Sequence, residues 1–256
     1  MTDLSLQPRL ALGDRLTAGF AQLTNMALGL QTFLDCAEAG AGMPRIGVLY
    51  GHSGYGKSVA MAFTAQRTGA AYLEAKSIWT QRSLLEAIAE ELGITMLQRS
   101  APRILQQVID QLNMDPRGLI VDEMDYLVGK QHVEILRDIH DATTVPILLV
   151  GEEALPQKLK SWERFHNRIL VTTPAQPASL DDALKLRAHY CPRVEIADDL
   201  VEQIVTACRG VTRRIVVNLK NAERLAMESG AAEIDAAWWG GRPFQTGDVM
   251  ARRLAA

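Results

Sequence analysis

Residues 51–58 read GHSGYGKS, and no other stretch constrains the fold so tightly. Gly51, Gly56, Lys57 and Ser58 meet the spacing G-x-x-x-x-G-K-[ST] in full. The spacing works only between a strand and a helix. Glycines let the backbone curl until successive N–H groups point inward at phosphate oxygens. The helix that follows adds the positive end of its dipole. Here the loop follows the apolar run RIGVLY at 45–50 and opens a helical stretch from Lys57 to about Arg67. Lys57 is expected to reach the β- and γ-phosphates of ATP, and the Ser58 hydroxyl to bind Mg²⁺. The expected nucleotide-binding set is Gly51, His52, Ser53, Gly54, Tyr55, Gly56, Lys57, Ser58 and the adjoining Val59. His52 reads as a loop side chain beside nucleotide or solvent, and Tyr55 as packing or a nucleotide contact; neither is needed for chemistry.

Further apolar runs follow at 70–74 (AAYLE), 118–121 (GLIV), 146–150 (PILLV) and 168–172 (RILVT). Helical periodicity fits 14–39, 57–67, 80–92, 102–113 and 130–141 between and before them. Strands that are continuous apolar runs, alternating with helices, predict a parallel sheet covered on both faces. The pattern changes after Pro174-Ala175-Gln176-Pro177. Helices fit 179–189, 198–208 and 211–229, with no strand among them. The expected division is an N-terminal helical segment at 1–44, an α/β core at 45–174, an all-helical lid at 175–240 and a tail at 241–256.

The run GLIVDEMDYL sets Asp122 and Glu123 at the end of an apolar strand. ATP hydrolysis on a phosphate loop needs this pair. Asp122 would hold Mg²⁺ through water, and Glu123 would orient and deprotonate the attacking water. A small-molecule kinase has no need of the adjacent glutamate, so the pair favours hydrolysis over phosphoryl transfer to a metabolite. Asp125 reads as a helix cap or a surface residue. His132 and His140, with Glu134 and Asp138, fall off a common helical face and read as a solvated helix, not a metal site. Trp79, Trp162 and the Trp238-Trp239 pair read as packing, and Arg252-Arg253 is too short for a nucleic-acid patch.

Bulk properties exclude several classes. A net charge of −3 over 256 residues gives no general attraction to nucleic acid, though it allows a local basic stripe. Cys36, Cys191 and Cys208 are far apart and form no Cys-x-x-Cys pair, so they read as buried thiols in a reducing compartment. No signal-peptide pattern opens the chain, and no apolar run approaches the length of about 20 residues that spans a bilayer. The expectation is a cytoplasmic protein with no membrane partner.

Together these motifs resemble the AAA+ ATPases, with Walker A at 51–58 and Walker B at 118–123. Within that superfamily the chain resembles the transposition ATPases, the group of phage Mu's B protein, TnsC and TniB. The stretches that carry the likeness are YGHSGYGKSVAMAF, AYLEAKSIWTQRSLLEAIAEELG, LIVDEMDYLVGKQHVEILRDIHD, PILLVGEEALPQKL and RGVTRRIVVNLKNAERLA, within about residues 20–230. The resemblance implies a P-loop AAA+ fold with a helical lid. It places Glu152 at the sensor-1 position, where Thr or Asn is more usual. Arg164 and Arg168, in WERFHNRIL, lie where an arginine finger reaches the neighbouring subunit's γ-phosphate, with Arg164 favoured. Arg213, or its neighbour Arg214, falls at the lid's sensor-2 position.

The resemblance also implies an ATP-dependent homo-oligomer, a helical filament or ring on duplex DNA, that recruits and stimulates a transposase. Its DNA contacts would be sequence-independent and would fall on Lys76, Thr80, Arg82 and Lys130. On its own Thr80 reads equally as a helix N-cap. The segment at 1–44 has no room for the separate DNA-binding region of the Mu B protein, so DNA contact would come from the ATPase assembly. Competing expectations are a helicase loader or initiation ATPase of the DnaA/IstB type, and an ExeA-like switch with protein partners only.

Overall fold

The computed structural model describes residues 23–130 and 132–247. The start of the helix expected from residue 14 and the end of the tail, with Arg252-Arg253, lie outside the described residues. The chain divides into two compact units. The first comprises Asn25–His52 and Lys57–Ala175 among the described residues, and the second residues 23–24, Ser53–Gly56 and 176–247.

The first unit is built on five parallel strands: β1 (Ile46–Tyr50), β2 (Ala71–Glu74), β3 (Leu119–Asp122), β4 (Ile147–Gly151) and β5 (Ile169–Pro174). Their order is β2-β3-β4-β1-β5. The strands predicted from apolar runs are all present, and all neighbours pair in parallel. β3 and β4 are buried at every position, as continuous apolar runs require. β1 lies between β4 and β5, so the chain leaving β1 emerges where the strand order reverses. In open α/β sheets that is where ligands bind, beyond the carboxyl ends of the strands.

Helices seal both faces. α1 (Thr24–Ala37) buries Met26, Phe33 and Cys36. It approaches the sheet where two strands lack side chains: a Cβ on Gly47 would lie 2.9 Å from Cys36 Sγ, and one on Gly118 would lie 2.3 Å from the Phe33 ring. α2 (Lys57–Thr68) follows the phosphate loop. α3 (Gln81–Glu91) and α4 (Ala101–Met114) bury Leu84, Leu85 and Ile88 against Ile104, Val108 and Leu112 in the main core. Three short helices, α5 (Asp125–Val128), α7 (Leu155–Lys160) and α8 (Glu163–His166), were not legible as periodicity, because a helix of one turn shows none. α6 (Val133–Thr143) lies between the first two.

His132 and His140 are buried, which corrects the expectation of a solvated helix. His140 Nε2 accepts the Arg45 N–H while Nδ1 meets Asp141, so the ring serves as a structural link. Trp79 and Trp162 pack against the main core as expected.

The second unit has its own core, around α9 (Leu180–Tyr190), α10 (Asp198–Cys208) and α11 (Thr212–Ser229). A capping box between Ser179 and Asp182 starts α9, and Asp182 also accepts the Thr24 N–H. The unit is not purely helical: Glu195–Ile196 (β6) and Glu233–Ile234 (β7) form a short parallel pair. Two residues carry no alternation to read. α12 (Ala236–Trp239) ends in the buried Trp239, whose ring stacks on Phe244 at 5.1 Å. The tryptophan pair is packing, as expected. No helix among the described residues is long and apolar enough to cross a membrane.

Candidate active site

The loop between β1 and α2 has the geometry its glycines predict. Gly54 and Gly56 have φ of 87° and 81°, a region L side chains rarely enter. Lys57 lies across its own loop, its Nζ donating to Gly51 O at 2.6 Å and His52 O at 2.9 Å. Those carbonyls hold the ammonium where phosphate oxygens are expected to replace them. Burial lowers the Lys57 pKa, against the opposing pull of Asp122 and Glu123. Ser58 and Val59 open α2 and are exposed. His52 Nε2 lies 2.7 Å from Glu153 Oε1, a surface pair beside the loop.

Asp122 ends β3 and is 2 % exposed. Both its oxygens are engaged. Oδ1 accepts the Glu123 N–H at 2.8 Å, and Oδ2 accepts the Tyr72 hydroxyl at 3.1 Å. Glu123 follows with φ of 55°, left-handed for a residue that is not glycine. Such a conformation costs roughly 1–3 kcal/mol and persists only where the surroundings impose it. Here the next residue imposes it: Met124 N–H donates to Val150 O on β4 at 2.8 Å. Burial and the neighbouring Asp122 raise the Glu123 pKa. A carboxylate shifted this way is a stronger base when ionised, which suits a group that takes a proton from water.

Asp125 is neither a cap nor a surface residue, which corrects the sequence reading. Its side chain is 11 % exposed. Oδ2 accepts the Glu152 N–H at 2.6 Å, and Oδ1 pairs with Lys158 Nζ at 2.6 Å. It therefore ties the turn after Glu123 to the end of β4, where Glu152 sits exposed. Gly151 makes the approach possible, since a Cβ there would lie 2.3 Å from Asp125 Oδ2. Tyr72 and Asp125 are the two site residues the sequence did not reveal, because no motif spacing includes them.

The donor set fits ATP with Mg²⁺. It offers one hydroxyl, Ser58, and one carboxylate, Asp122, both hard oxygen ligands. Among the described residues no group of three or more His, Cys, Asp or Glu is placed to hold a metal. Mg²⁺ characteristically takes few protein ligands and completes its shell with water and phosphate oxygens.

The two arginines of the 161–171 segment have different surroundings. Arg168 binds Asp141 through Nε and Nη2, at 3.0 and 2.8 Å, and donates to Arg164 O. Arg164 is exposed, and its guanidinium makes no hydrogen bond or ion pair among the described residues. In the second unit, Arg213 is exposed and its N–H donates to Gly54 O at 3.1 Å. Arg214 faces the other way, its guanidinium against Gly247.

The residues expected to touch DNA are partly occupied within the chain. Lys76 pairs with Glu74 at 2.8 Å. Thr80 is an N-cap, accepting the Ser83 N–H. Arg82 pairs with Glu86 at 2.7 Å and donates to Arg99 O. Lys130 donates to Ser77 O and Trp79 O. Thr80, Arg82, Lys130, Ile78 and Trp79 line one open groove.

Residues 42–159 match the family model described as "AAA domain". No curated protein matches the sequence significantly. Among solved structures, the chain is similar to the ORC2 protein of Aeropyrum pernix (ADPNP-ADP complexes), with TM-score 0.67, 18% identity, and coverage of 84% of this chain and 64% of that one. It is also similar to Cdc6p of Pyrobaculum aerophilum, with TM-score 0.63, 17% identity, and coverage of 84% and 65%. A third is the Aeropyrum pernix ORC1 protein in complex with DNA, with TM-score 0.58, 17% identity, and coverage of 82% and 61%. The chain thus spans less than two thirds of the length of each. The fold is that of a P-loop AAA+ protein, with the AAA domain over residues 42–159.

Proposed function

We propose that this chain is an ATP-controlled ATPase that assembles with copies of itself on duplex DNA, without sequence preference, and there recruits and stimulates a transposase. Arg164 carries the assembly. It is exposed and its guanidinium makes no ion pair among the described residues, while Arg168, four residues on, is held by Asp141. An arginine so placed is available to a neighbouring subunit's γ-phosphate, where it would offset the charge that develops in transfer. A site completed in this way exists only between subunits, so ATP governs assembly.

On this reading Lys57 holds the β- and γ-phosphates, and Ser58 and Asp122 hold Mg²⁺. When bound, Mg²⁺ supplies charge neutralisation across the phosphates. Glu123 takes the proton of the attacking water. Arg213 serves as sensor 2 and Glu152 as sensor 1, with Glu152 able to offer its carboxylate but no neutral amide, its backbone N–H being held by Asp125. DNA would be met by phosphate contacts from Lys76 and from the groove that Thr80, Arg82 and Lys130 line, each weak and summed over many subunits. The transposase as partner rests on the sequence resemblance. The likeness to ORC and Cdc6 structures favours a second reading, an initiation-type ATPase whose partner is a replicative helicase.

Size-exclusion light scattering tests the main reading, with ATP-Mg²⁺ and with or without random-sequence duplex DNA. Glu123→Gln should form large assemblies that need both ATP and DNA, and Arg164→Ala should not. A monomer that binds ATP and ignores DNA would refute assembly. Capture of a helicase in place of a transposase would move the chain to the second reading.

A further inference from the structure

We infer that Tyr72 is a positioning residue of the nucleotide site, its hydroxyl fixing the orientation of the Asp122 carboxylate. The inference rests on the reading of Asp122 as the Mg²⁺-holding carboxylate. β2 runs parallel to β3, with Glu74 opposite Asp122 and Tyr72 opposite Ile120. From that register only a long side chain reaches the end of β3, and the phenol does so, with Oη 3.1 Å from Asp122 Oδ2. The same strand end also holds the Asp122 backbone, as Ala75 N–H donates to Asp122 O at 2.9 Å.

Aspartate χ2 is a broad, roughly two-fold torsion, so a carboxylate without partners has no fixed orientation. Here two donors approach from different sides, the Glu123 N–H on Oδ1 and the Tyr72 hydroxyl on Oδ2. Removing the hydroxyl would leave Oδ2 buried with no protein donor and free the torsion. The donor's identity matters as much as its position. Arg or Lys in this place would cancel the charge that a metal ion needs, whereas a phenol holds the carboxylate and leaves its charge in place.

Tyr72→Phe removes only the hydroxyl and keeps the ring. Binding of a fluorescent ATP analogue should be titrated with MgCl₂, and repeated in EDTA. We expect Tyr72→Phe to raise the Mg²⁺ concentration for half-saturation roughly three- to tenfold, about the net contribution of one ordinary hydrogen bond, since Asp122 keeps its charge and its other donor. Affinity in EDTA should not change. Asp122→Asn should raise the Mg²⁺ requirement further, and adding Tyr72→Phe to it should then do nothing more. If Asp122→Asn weakens the Mg²⁺ response and Tyr72→Phe matches wild type, the assignment of Tyr72 is wrong. If neither variant changes the response, Asp122 does not hold the metal and the assignment falls with it. An equal loss of affinity with Mg²⁺ and in EDTA would mark a general structural role and overturn positioning.

Discussion

Replacing Asp125 by Ala should cost far more than its place outside the Walker motifs suggests. The side chain is 11 % exposed and accepts the Glu152 N–H at 2.6 Å. A hydrogen bond to a charged acceptor contributes about 1.5–3 kcal/mol. The pair with Lys158 adds less than about 1 kcal/mol, because Lys158 is 43 % exposed and solvent screens it. Against this, Asp125 lies among acidic neighbours and helps to raise the Glu123 pKa, so its loss relieves some repulsion. The net cost should be near 2 kcal/mol, or about 4–8 °C in melting temperature for a chain of this size. Lys158→Ala, which removes only the screened pair, should cost at most about 1 kcal/mol. Thermal denaturation followed by circular dichroism separates the two. Equal small losses for both variants would refute the brace, since the Glu152 N–H would then be indifferent to its acceptor. Asp125→Asn, which keeps an acceptor and loses the charge, should fall between them.

Arg168→Ala should lower the melting temperature at neutral pH, whereas Arg164→Ala should leave it unchanged and lower hydrolysis only in assembled protein, as mixed-subunit ATPase assays would show. The Arg168 guanidinium lowers the Asp141 pKa, so this pair stabilises above the ordinary aspartate pKa of about 3.9 and is lost as pH falls through the lowered value; melting curves from pH 5 down to 3 should converge for wild type and Arg168→Ala. Gly118→Ala should destabilise by about 1–3 kcal/mol because its Cβ would meet the Phe33 ring, while Gly40→Ala, with open space around it, should be near neutral in the same melts. Burial pushes the Cys36 thiol up to about 12 and Cys191 to about 11, so an alkylating reagent at pH 8 should label native protein slowly and unfolded protein fast.

Much of this protein was determined along the chain itself. The phosphate loop, the strand before it and the helix after it form a local unit, and local units are written as spacing: Gly54 and Gly56 take left-handed backbone because glycine alone does so freely. The parallel sheet was legible because strands buried on both faces must be apolar at every position, as β3 and β4 are. Asp122 and Glu123 were legible because they end such a run. What only the tertiary structure decided are contacts between elements distant in sequence. Tyr72 reaches Asp122 because β2 pairs with β3, and Asp125 reaches Glu152 because the turn after β3 passes the end of β4. The sequence offered both Arg164 and Arg168, with Arg164 favoured; the fold sets Asp141 beside Arg168 and leaves Arg164 without an ion pair among the described residues. Periodicity reports how one element faces the core, and it carries no record of which side chain waits on the element beside it.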